Sequence, residues 1–149
     1  MARRTGRSLA RPSAFWDSCA LIPLFANQVS TPQASLWLNS FEVVVWWATP
    51  VEIASGLAKL LRQRQFDSVQ WGRALKSTSQ LAETWSVIPP STAIRARAIE
   101  LVKRYDLRAG DSLQLAAALE WSEGEPSSHR FLTFDIRLRE AAMLTGFDT

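Results

Sequence analysis

Acidic residues stand at four points where an apolar segment gives way to the start of a helix, and these residues are Asp17, Glu52, Asp111 and Asp135. In an open α/β sheet, strand ends and helix starts lie together in one crevice, which would bring such side chains close to one another. Carboxylates that meet there cannot all stay ionised without a cation to neutralise them. The pattern therefore predicts a divalent-metal site, and carboxylate oxygens are ligands that suit Mg²⁺ or Mn²⁺.

Hydrolysis of a phosphodiester is the chemistry that such a site fits best. A hard divalent ion binds phosphate esters, activates water and stabilises the departing oxygen. His129, in a polar loop, is the only histidine, which excludes a two-histidine acid–base site and argues against a Ser-His-Asp triad. Cys19 is the only cysteine, so an internal disulfide and a CxxC zinc site are both excluded.

Each acid taken singly also has an ordinary structural explanation as a helix cap. Asp, Ser and Thr commonly accept hydrogen bonds from free backbone N–H groups at helix starts. Thr49 and Glu52 fit the capping-box pattern, and Asp111 with Gln114 could form a similar pair. Asp135 could cap the last helix. The four acids together favour a shared site, because an acid beside the first apolar strand is costly without a partner.

The elements that must position these acids alternate between strand and helix patterns. Strands are predicted at residues 14–17, 42–47, 87–88 and 131–134. Helical segments are predicted at 19–25, from Thr31, from Thr49, at 67–85 with Val69, Leu75 and Leu81 inward, from Ser91, at 111–121 and at 135–144. This alternation indicates parallel strands joined by right-handed crossovers, hence an α/β class with three α/β/α layers and a short, mostly parallel central sheet.

Length and charge favour one domain with a basic N-terminal extension. The chain has 149 residues and a net charge of +3, which comes largely from four arginines in the first eleven residues. We predict an Arg-rich, flexible extension at residues 1–13, either a soluble tail or an arm that attracts nucleic acid, and a single domain at 14–149. No apolar run approaches the roughly 20 residues of a membrane-spanning helix, and no secretory signal is evident. A cytoplasmic protein without a membrane partner is therefore expected.

The four acidic segments together resemble the motifs of PIN domains. Residues 15–21 (FWDSCAL) resemble the first-strand motif, and residues 47–54 (WATPVEIA) resemble the second block. Residues 107–118 (LRAGDSLQLAAA) are the closest match, and residues 131–138 (FLTFDIRL) resemble the fourth block. The resemblance covers residues 14–147 and implies a PIN-like fold.

The resemblance implies a Mg²⁺- or Mn²⁺-dependent ribonuclease, most similar to VapC-like toxins of bacterial toxin–antitoxin pairs. By this likeness Asp17 and Asp111 are the primary metal ligands, and Glu52 and Asp135 complete the catalytic set directly or through water. Supporting hydroxyl groups are implied at Thr133, Ser18 and Ser112. The mechanism that we infer is in-line attack of water on an RNA phosphodiester, assisted by one or two metal ions.

The resemblance also implies an RNA substrate, a cognate antitoxin and a homodimer. Predicted RNA contacts are Arg108, Lys59 and Arg62, although the last two fit a solvated helix face equally well. Trp37 is predicted at an interface, and Trp46 and Trp47 in the core. A housekeeping nuclease in RNA processing or decay, or a non-catalytic PIN module, stays open as an alternative. A final strand after the last helix, which many PIN toxins have, is expected to be absent or minimal.

Overall fold

Four strands and seven α-helices make up the part of the chain that the computed structural model describes, residues 10–149. The strands are β1 (Ser13–Trp16), β2 (Glu42–Trp46), β3 (Ser86–Ile88) and β4 (Arg130–Leu132). The helices are α1 (Ser18–Leu21), α2 (Thr31–Ser40), α3 (Thr49–Arg62), α4 (Ser68–Ala82), α5 (Thr92–Arg104), α6 (Ala109–Trp121) and α7 (Ile136–Leu144). Short 3₁₀ turns occur at Ile22–Leu24 and Pro126–Ser128. Each predicted strand and helix is present with ends that differ by at most three residues, except that the predicted helical segment 19–25 is divided into α1 and a 3₁₀ turn.

The strands form one sheet in the order β3-β2-β1-β4, and every neighbouring pair is parallel. The central strand β1 pairs on one side with β2, where Phe15 is opposite Val44, and on the other with β4, where Phe15 is opposite Phe131. Because all strands run the same way, their carboxyl ends lie at one edge of the sheet. The segments after β1, β2 and β4, which carry predicted site residues, therefore meet at that edge.

Helices cover both faces of the sheet, which confirms the predicted three-layer α/β/α fold. Side chains of β1 alternate between the faces, and Phe15 belongs to the core formed with α5, α6 and α7 through residues such as Leu115 and Leu138. Trp16 points to the opposite core, formed with α1 to α4 through residues such as Ile53. A sheet buried on both faces explains why its strands read as continuous apolar runs.

The inward face of α4 differs from the prediction. Ala74 and Thr78 are buried, whereas Val69 is 59% exposed. The helix begins with a capping box in which the Asp67 side chain accepts from the Gln70 backbone N–H and the Gln70 side chain accepts from the Asp67 N–H. At about 100° per residue, Val69 lies about 140° around the helix from Ala74, so its side chain points away from the buried row.

One tryptophan differs from the prediction, and another keeps a partly exposed ring. Trp47 is 59% exposed rather than buried, because β2 ends at Trp46 and the Trp47 backbone N–H donates to the Ile88 carbonyl in the turn before α3. Trp37, predicted at an interface, is half-buried and stacks on Phe134 with ring centroids 4.7 Å apart. A shift of one residue in the strand end is enough to turn a side chain from the core to the surface.

The beginning of the described chain is attached to the sheet. Arg11 donates to Glu42 at 3.0 Å, and Ser13 is the first residue of β1. The remainder of the predicted extension 1–13, namely residues 1–9, lies outside the described residues.

The chain after α7 turns back to cover the edge of β4. Gly146 has a φ of +110°, a conformation that favours glycine, and this turn carries Phe147 into the core. Asp148 then forms an isolated parallel bridge with Arg130, whose guanidinium also pairs with the Asp148 carboxylate. The final strand, which was expected to be absent or minimal, is a single bridge. Among residues 10–149, none of the helices has the length and apolar character needed to cross a membrane.

Candidate active site

Asp17 lies at the carboxyl end of β1 and is only 3% exposed. Its backbone N–H donates to the Leu132 carbonyl at 3.0 Å, which fixes it beside the end of β4. The Thr133 hydroxyl and the Cys19 thiol both donate to Asp17 Oδ2, at 2.9 Å and 2.7 Å. In the described part of the chain no Lys or Arg side chain forms an ion pair with it. Asp17 is therefore a buried carboxylate that is held only by neutral donors.

The surroundings of Asp17 disfavour its charge. Burial raises the pKa of its carboxyl group to about 6, and the nearby charges of Glu52 and Asp111 act in the same direction. The hydrogen bonds from Cys19 and Thr133 lower this pKa without cancelling the effect of burial. At neutral pH the carboxylate is ionised at a cost in free energy, and a bound cation would remove that cost.

Glu52, in the first turn of α3, is oriented by two hydrogen bonds to one oxygen. The Ser18 hydroxyl donates to Glu52 Oε2 at 2.9 Å and lies 3.4 Å from Asp17 Oδ1, so that it links the two acids. Gln114 Nε2, from the fully buried side chain of α6, also donates to Glu52 Oε2 at 2.9 Å. The same nitrogen lies 3.4 Å from the Thr49 hydroxyl. Side chains from α1, α3 and α6 thus converge on this carboxylate.

Asp111 lies in the first turn of α6, close to Glu52. A Cβ atom added to the preceding Gly110 would lie 3.9 Å from Glu52 Oε1, which shows how near the start of α6 approaches that acid. Burial raises the pKa of Asp111, and the charge of Asp135 raises it further. A backbone hydrogen bond from Arg108 and the charge of its guanidinium oppose this rise. Arg108 therefore lies where a phosphate next to Asp111 would meet a cation.

Asp135 is exposed and is held by its position before α7. Its Oδ1 accepts from the Leu138 backbone N–H at 2.9 Å, and its own N–H donates to the Thr133 hydroxyl at 3.0 Å. That hydroxyl is the same group that donates to Asp17, so one threonine after β4 connects both acids. Arg139 Nη2 donates to the Thr133 carbonyl at 3.1 Å and keeps this segment in place.

The four predicted acids form one group at the carboxyl edge of the sheet, which we call the acidic cluster: Asp17, Glu52, Asp111 and Asp135. The charges of Glu52 and Asp111 both act on Asp17, and the charge of Asp135 acts on Asp111. Asp111 and Asp135 line an open cavity of about 400 Å³ beside the cluster. Mutual repulsion of this kind is a reason for a cation to bind.

Contacts at helix starts explain only part of the acidic cluster. Asp135 caps α7, as the hydrogen bond to Leu138 shows. Thr49 is buried as the first residue of α3 and makes no cap, so the proposed capping box with Glu52 is wrong. Arg108, not Asp111, is the N-cap residue of α6, so the proposed pairing of Asp111 with Gln114 is wrong. The Asp111 side chain instead accepts a hydrogen bond from the Arg108 backbone N–H at the start of that helix. The positions of Asp17 and Glu52 therefore need another explanation.

Several other predicted residues lie away from the acidic cluster. The Ser112 hydroxyl donates to the Ala109 carbonyl at 2.8 Å within its own helix. Lys59 and Arg62 are exposed in the last turn of α3, roughly 10 and 15 Å along the helix axis from Glu52 at 1.5 Å per residue. Their contact with RNA remains a prediction, and it would take place at a distance from the acids.

Sequence reasoning missed two residues that contact the acidic cluster. Gln114 was assigned only to a cap, although a glutamine between Leu113 and Leu115 in an apolar helix signals a buried polar contact. Cys19 was considered only for disulfide and zinc chemistry. Burial raises the pKa of its thiol, as does the charge of Asp17, so the thiol stays protonated and serves as a hydrogen-bond donor.

The donor set of the acidic cluster fits a hard divalent ion bound in an open manner. All four side chains offer carboxylate oxygens, which Mg²⁺ and Mn²⁺ prefer. In residues 10–149 no three Asp, Glu, His or Cys side chains lie close enough together to enclose a metal ion. Mg²⁺ commonly keeps several waters and uses one or two carboxylates together with substrate phosphates. An open group with one buried, unpaired carboxylate suits that mode of binding.

Comparison with known proteins identifies similarities along nearly the whole chain. Residues 14–144 match the family model described as "PIN domain". A solved chain from a toxin-antitoxin complex from Klebsiella pneumoniae has a similar fold, with a TM-score of 0.66 and 22% sequence identity, over 92% of this chain and 97% of that chain. A search of curated proteins finds no match. The residues matched by the family model include all four acids.

Proposed function

This chain belongs to the PIN domain family, whose members are typically metal-dependent nucleases, and we propose that it is a Mg²⁺- or Mn²⁺-dependent endoribonuclease that hydrolyses RNA phosphodiester bonds. The observation that carries this proposal is the acidic cluster at the carboxyl edge of the sheet. Its central member, Asp17, is buried, has a raised pKa and has no cationic partner among residues 10–149. Keeping such a buried carboxylate ionised costs free energy unless a bound cation neutralises its charge.

The side chains of the cluster have distinct roles in this proposal. Asp17 and Asp111 hold the divalent ion, which when bound supplies charge neutralisation for the phosphate and the leaving oxygen. Asp135 completes the cluster directly or through water. Thr133 holds Asp17 and Asp135 in register through its two hydrogen bonds.

Glu52 is the member best arranged to orient the attacking water. Ser18 and Gln114 both donate to its Oε2, which leaves Oε1 to accept a hydrogen bond from that water. The water attacks phosphorus opposite the leaving oxygen and gives up a proton to the solvent. As the bond between phosphorus and the leaving oxygen breaks, that oxygen takes up a proton from the solvent. Arg108, beside Asp111, is suited to contact a non-bridging oxygen of the same phosphate.

Cleavage of total cellular RNA by purified, antitoxin-free protein tests the proposal. We expect discrete fragments with Mn²⁺, and none with EDTA or with the Asp111→Asn variant. Glu83→Gln is a matched control, because Glu83 is an exposed acid at the end of α4, and it should cleave normally. Cleavage that persists in EDTA, or in Asp111→Asn at the parental rate, would contradict a metal-dependent site at these acids.

Replacement of Gln114 by leucine is expected to lower the cleavage rate roughly 10- to 100-fold, the usual effect of losing a group that orients a metal-site ligand. Leucine fills a similar volume and removes the Gln114 Oε1 atom, which is buried without a partner in the described part of the chain. The melting temperature should therefore stay the same or rise. Gln80→Leu, on the exposed face of α4, is the control for added apolar surface. A parental rate for Gln114→Leu would mean that Glu52 needs no orientation from α6.

We infer that the biological role is that of a toxin, with a cognate antitoxin as its partner. The similarity in fold to a chain from a toxin-antitoxin complex supports this role. The housekeeping alternative is favoured instead if no small antitoxin reading frame lies next to the gene. The homodimer and the cytoplasmic location stay predictions from the sequence.

A further inference from the structure

Two adjoining cavities extend from the acidic cluster to the end of α5. The cavity beside Asp111 and Asp135 adjoins a second cavity, also of about 400 Å³, that reaches the end of α5. The two cavities share two lining residues, Asp106 and Arg137, which form an ion pair where the cavities adjoin. We call the two adjoining cavities together the arginine groove, and their charged lining residues are Arg104, Asp106, Arg108, Asp111, Asp135, Arg137 and Glu140.

The three arginines follow one another outward from the acids. Arg108 precedes α6 beside Asp111, Arg137 lies in the first turn of α7, and Arg104 is the last residue of α5. The Arg104 guanidinium lies 5.6 Å from the centroid of the Tyr105 ring, a contact that orients it at the mouth of the groove. Planar guanidinium groups match the geometry of phosphate oxygens, which suits a series of phosphates along one strand.

Arg137 contributes little to the stability of the fold. It pairs with Asp106 at 3.2 Å, but the two side chains are 68% and 89% exposed, and exposed ion pairs are weak. A cation in the first turn of a helix is also disfavoured by the helix dipole. Arg137 can therefore exchange its partner at low cost, and a phosphate in the groove would compete with Asp106 for it.

We propose that the arginine groove binds the sugar–phosphate backbone of the RNA strand on one side of the cleaved bond, and that Asp106 competes with the RNA for Arg137. This inference rests on the proposed function, because the groove gains its meaning as an extension of the acidic cluster. Arg104 and Arg137 are then substrate-binding residues that were not predicted from the sequence. An RNA strand is favoured over an acidic peptide because the groove opens directly onto the predicted phosphodiester site.

Removal of a groove arginine and removal of the Asp106 charge should change RNA affinity in opposite directions. Arg104→Ala and Arg137→Ala should each weaken binding of a single-stranded RNA about tenfold, the effect of losing one charge-assisted contact. Asp106→Asn should tighten binding about two- to fivefold, because it releases Arg137. Each arginine variant should also reduce the steepness of the salt dependence of binding, by about 0.7 in the slope of log K against log salt. Arg97→Ala, which removes the same charge from an exposed position of α5 outside the groove, is the control.

The test measures fluorescence anisotropy of a labelled single-stranded RNA with Mn²⁺, in an Asp111→Asn background that prevents cleavage. Circular dichroism of each variant checks the fold. The steady-state counterpart, with Asp111 intact, should show a raised KM and an unchanged kcat for Arg137→Ala.

Unchanged RNA affinity for Arg104→Ala and Arg137→Ala, or an equal loss for Arg97→Ala, would overturn the proposal. The proposal would also be overturned if the arginine variants lost binding to a labelled poly-glutamate peptide while their RNA affinity equalled that of the parent. The groove would then belong to the binding site of an acidic protein partner. Absence of any RNA binding by the parent would also overturn it. If RNA binding depends on the groove arginines but the protein with Asp111 intact cleaves no RNA, the groove proposal stands and only the proposed function is overturned.

Discussion

Replacement of Asp17 by asparagine is expected to lower RNA cleavage at least about 100-fold while the fold stays intact. Loss of a group that only orients a metal ligand costs about 10- to 100-fold, so loss of a direct ligand should exceed that range. Asparagine has nearly the same shape and can accept the hydrogen bonds that Thr133 and Cys19 donate. It carries no charge to desolvate, so the metal-free variant should be at least as stable as the parent at pH 7. Initial cleavage rates and melting temperatures check both parts.

Asp135→Asn separates the charge of the cluster from helix capping. Asparagine caps a helix about as well as aspartate, so the hydrogen bond to Leu138 should persist while the negative charge is lost. A fall in cleavage without a fall in melting temperature would show that the charge matters. A large fall in the melting temperature of Asp17→Asn, with cleavage per folded molecule unchanged, would show that the acid has a purely structural role.

Without metal, Asp17 is expected to make the protein less stable as the pH rises from about 4 to about 7. The pKa of its carboxyl group is about 6 in the folded protein against an ordinary value of 3.8. Between these values the folded protein binds more protons than the unfolded chain, and the free energy of unfolding must therefore fall as the pH increases. The contribution of Asp17 to this fall is about 3 kcal/mol, at 1.36 kcal/mol per pKa unit.

Urea unfolding in EDTA, at several pH values, isolates this contribution when Asp17→Asn serves as the reference. Asparagine does not titrate, so the gap between the two proteins should widen toward pH 7 in favour of the variant. Added Mn²⁺ should then stabilise the parent at pH 7 and have little effect on the variant, since a ligand that binds only the native state stabilises it. Parallel curves for the two proteins would show that Asp17 is not desolvated as described.

The arrangement of strands and the proximity of the four acids could be predicted from the sequence, for a physical reason. A parallel sheet covered on both faces needs continuous apolar strands, which residues 42–47 display plainly. Each acid follows a strand or opens a helix, and parallel strands bring such positions to one edge. The likeness of residues 107–118 to a family motif then supplied the chemistry. Whether the acids bind metal and cleave RNA remains a prediction.

The hydrogen bonds that support the acids could not be predicted from the sequence, because they join elements that are far apart in it. Gln114 and Glu52 lie on helices on opposite faces of the sheet, and no periodicity reports that their side chains meet. The arginine groove likewise depends on how the ends of α5 and α7 face one another. The exposure of Trp47 turned on the last residue of β2, and strand ends are the least certain part of a pattern.

The pairing of β1 with both β2 and β4 also determines when the acidic cluster can exist during synthesis of the chain. Trp16 is opposite Leu132, so Asp17 meets Thr133 only after almost all of the described residues have been made. Protein segments emerge from the ribosome in order, and the first strand must wait for this distant partner. A nascent chain that ends before β4 carries Asp17 and Glu52 but lacks the segment that holds them in register. The acidic cluster can therefore form completely only when translation of this domain is nearly finished.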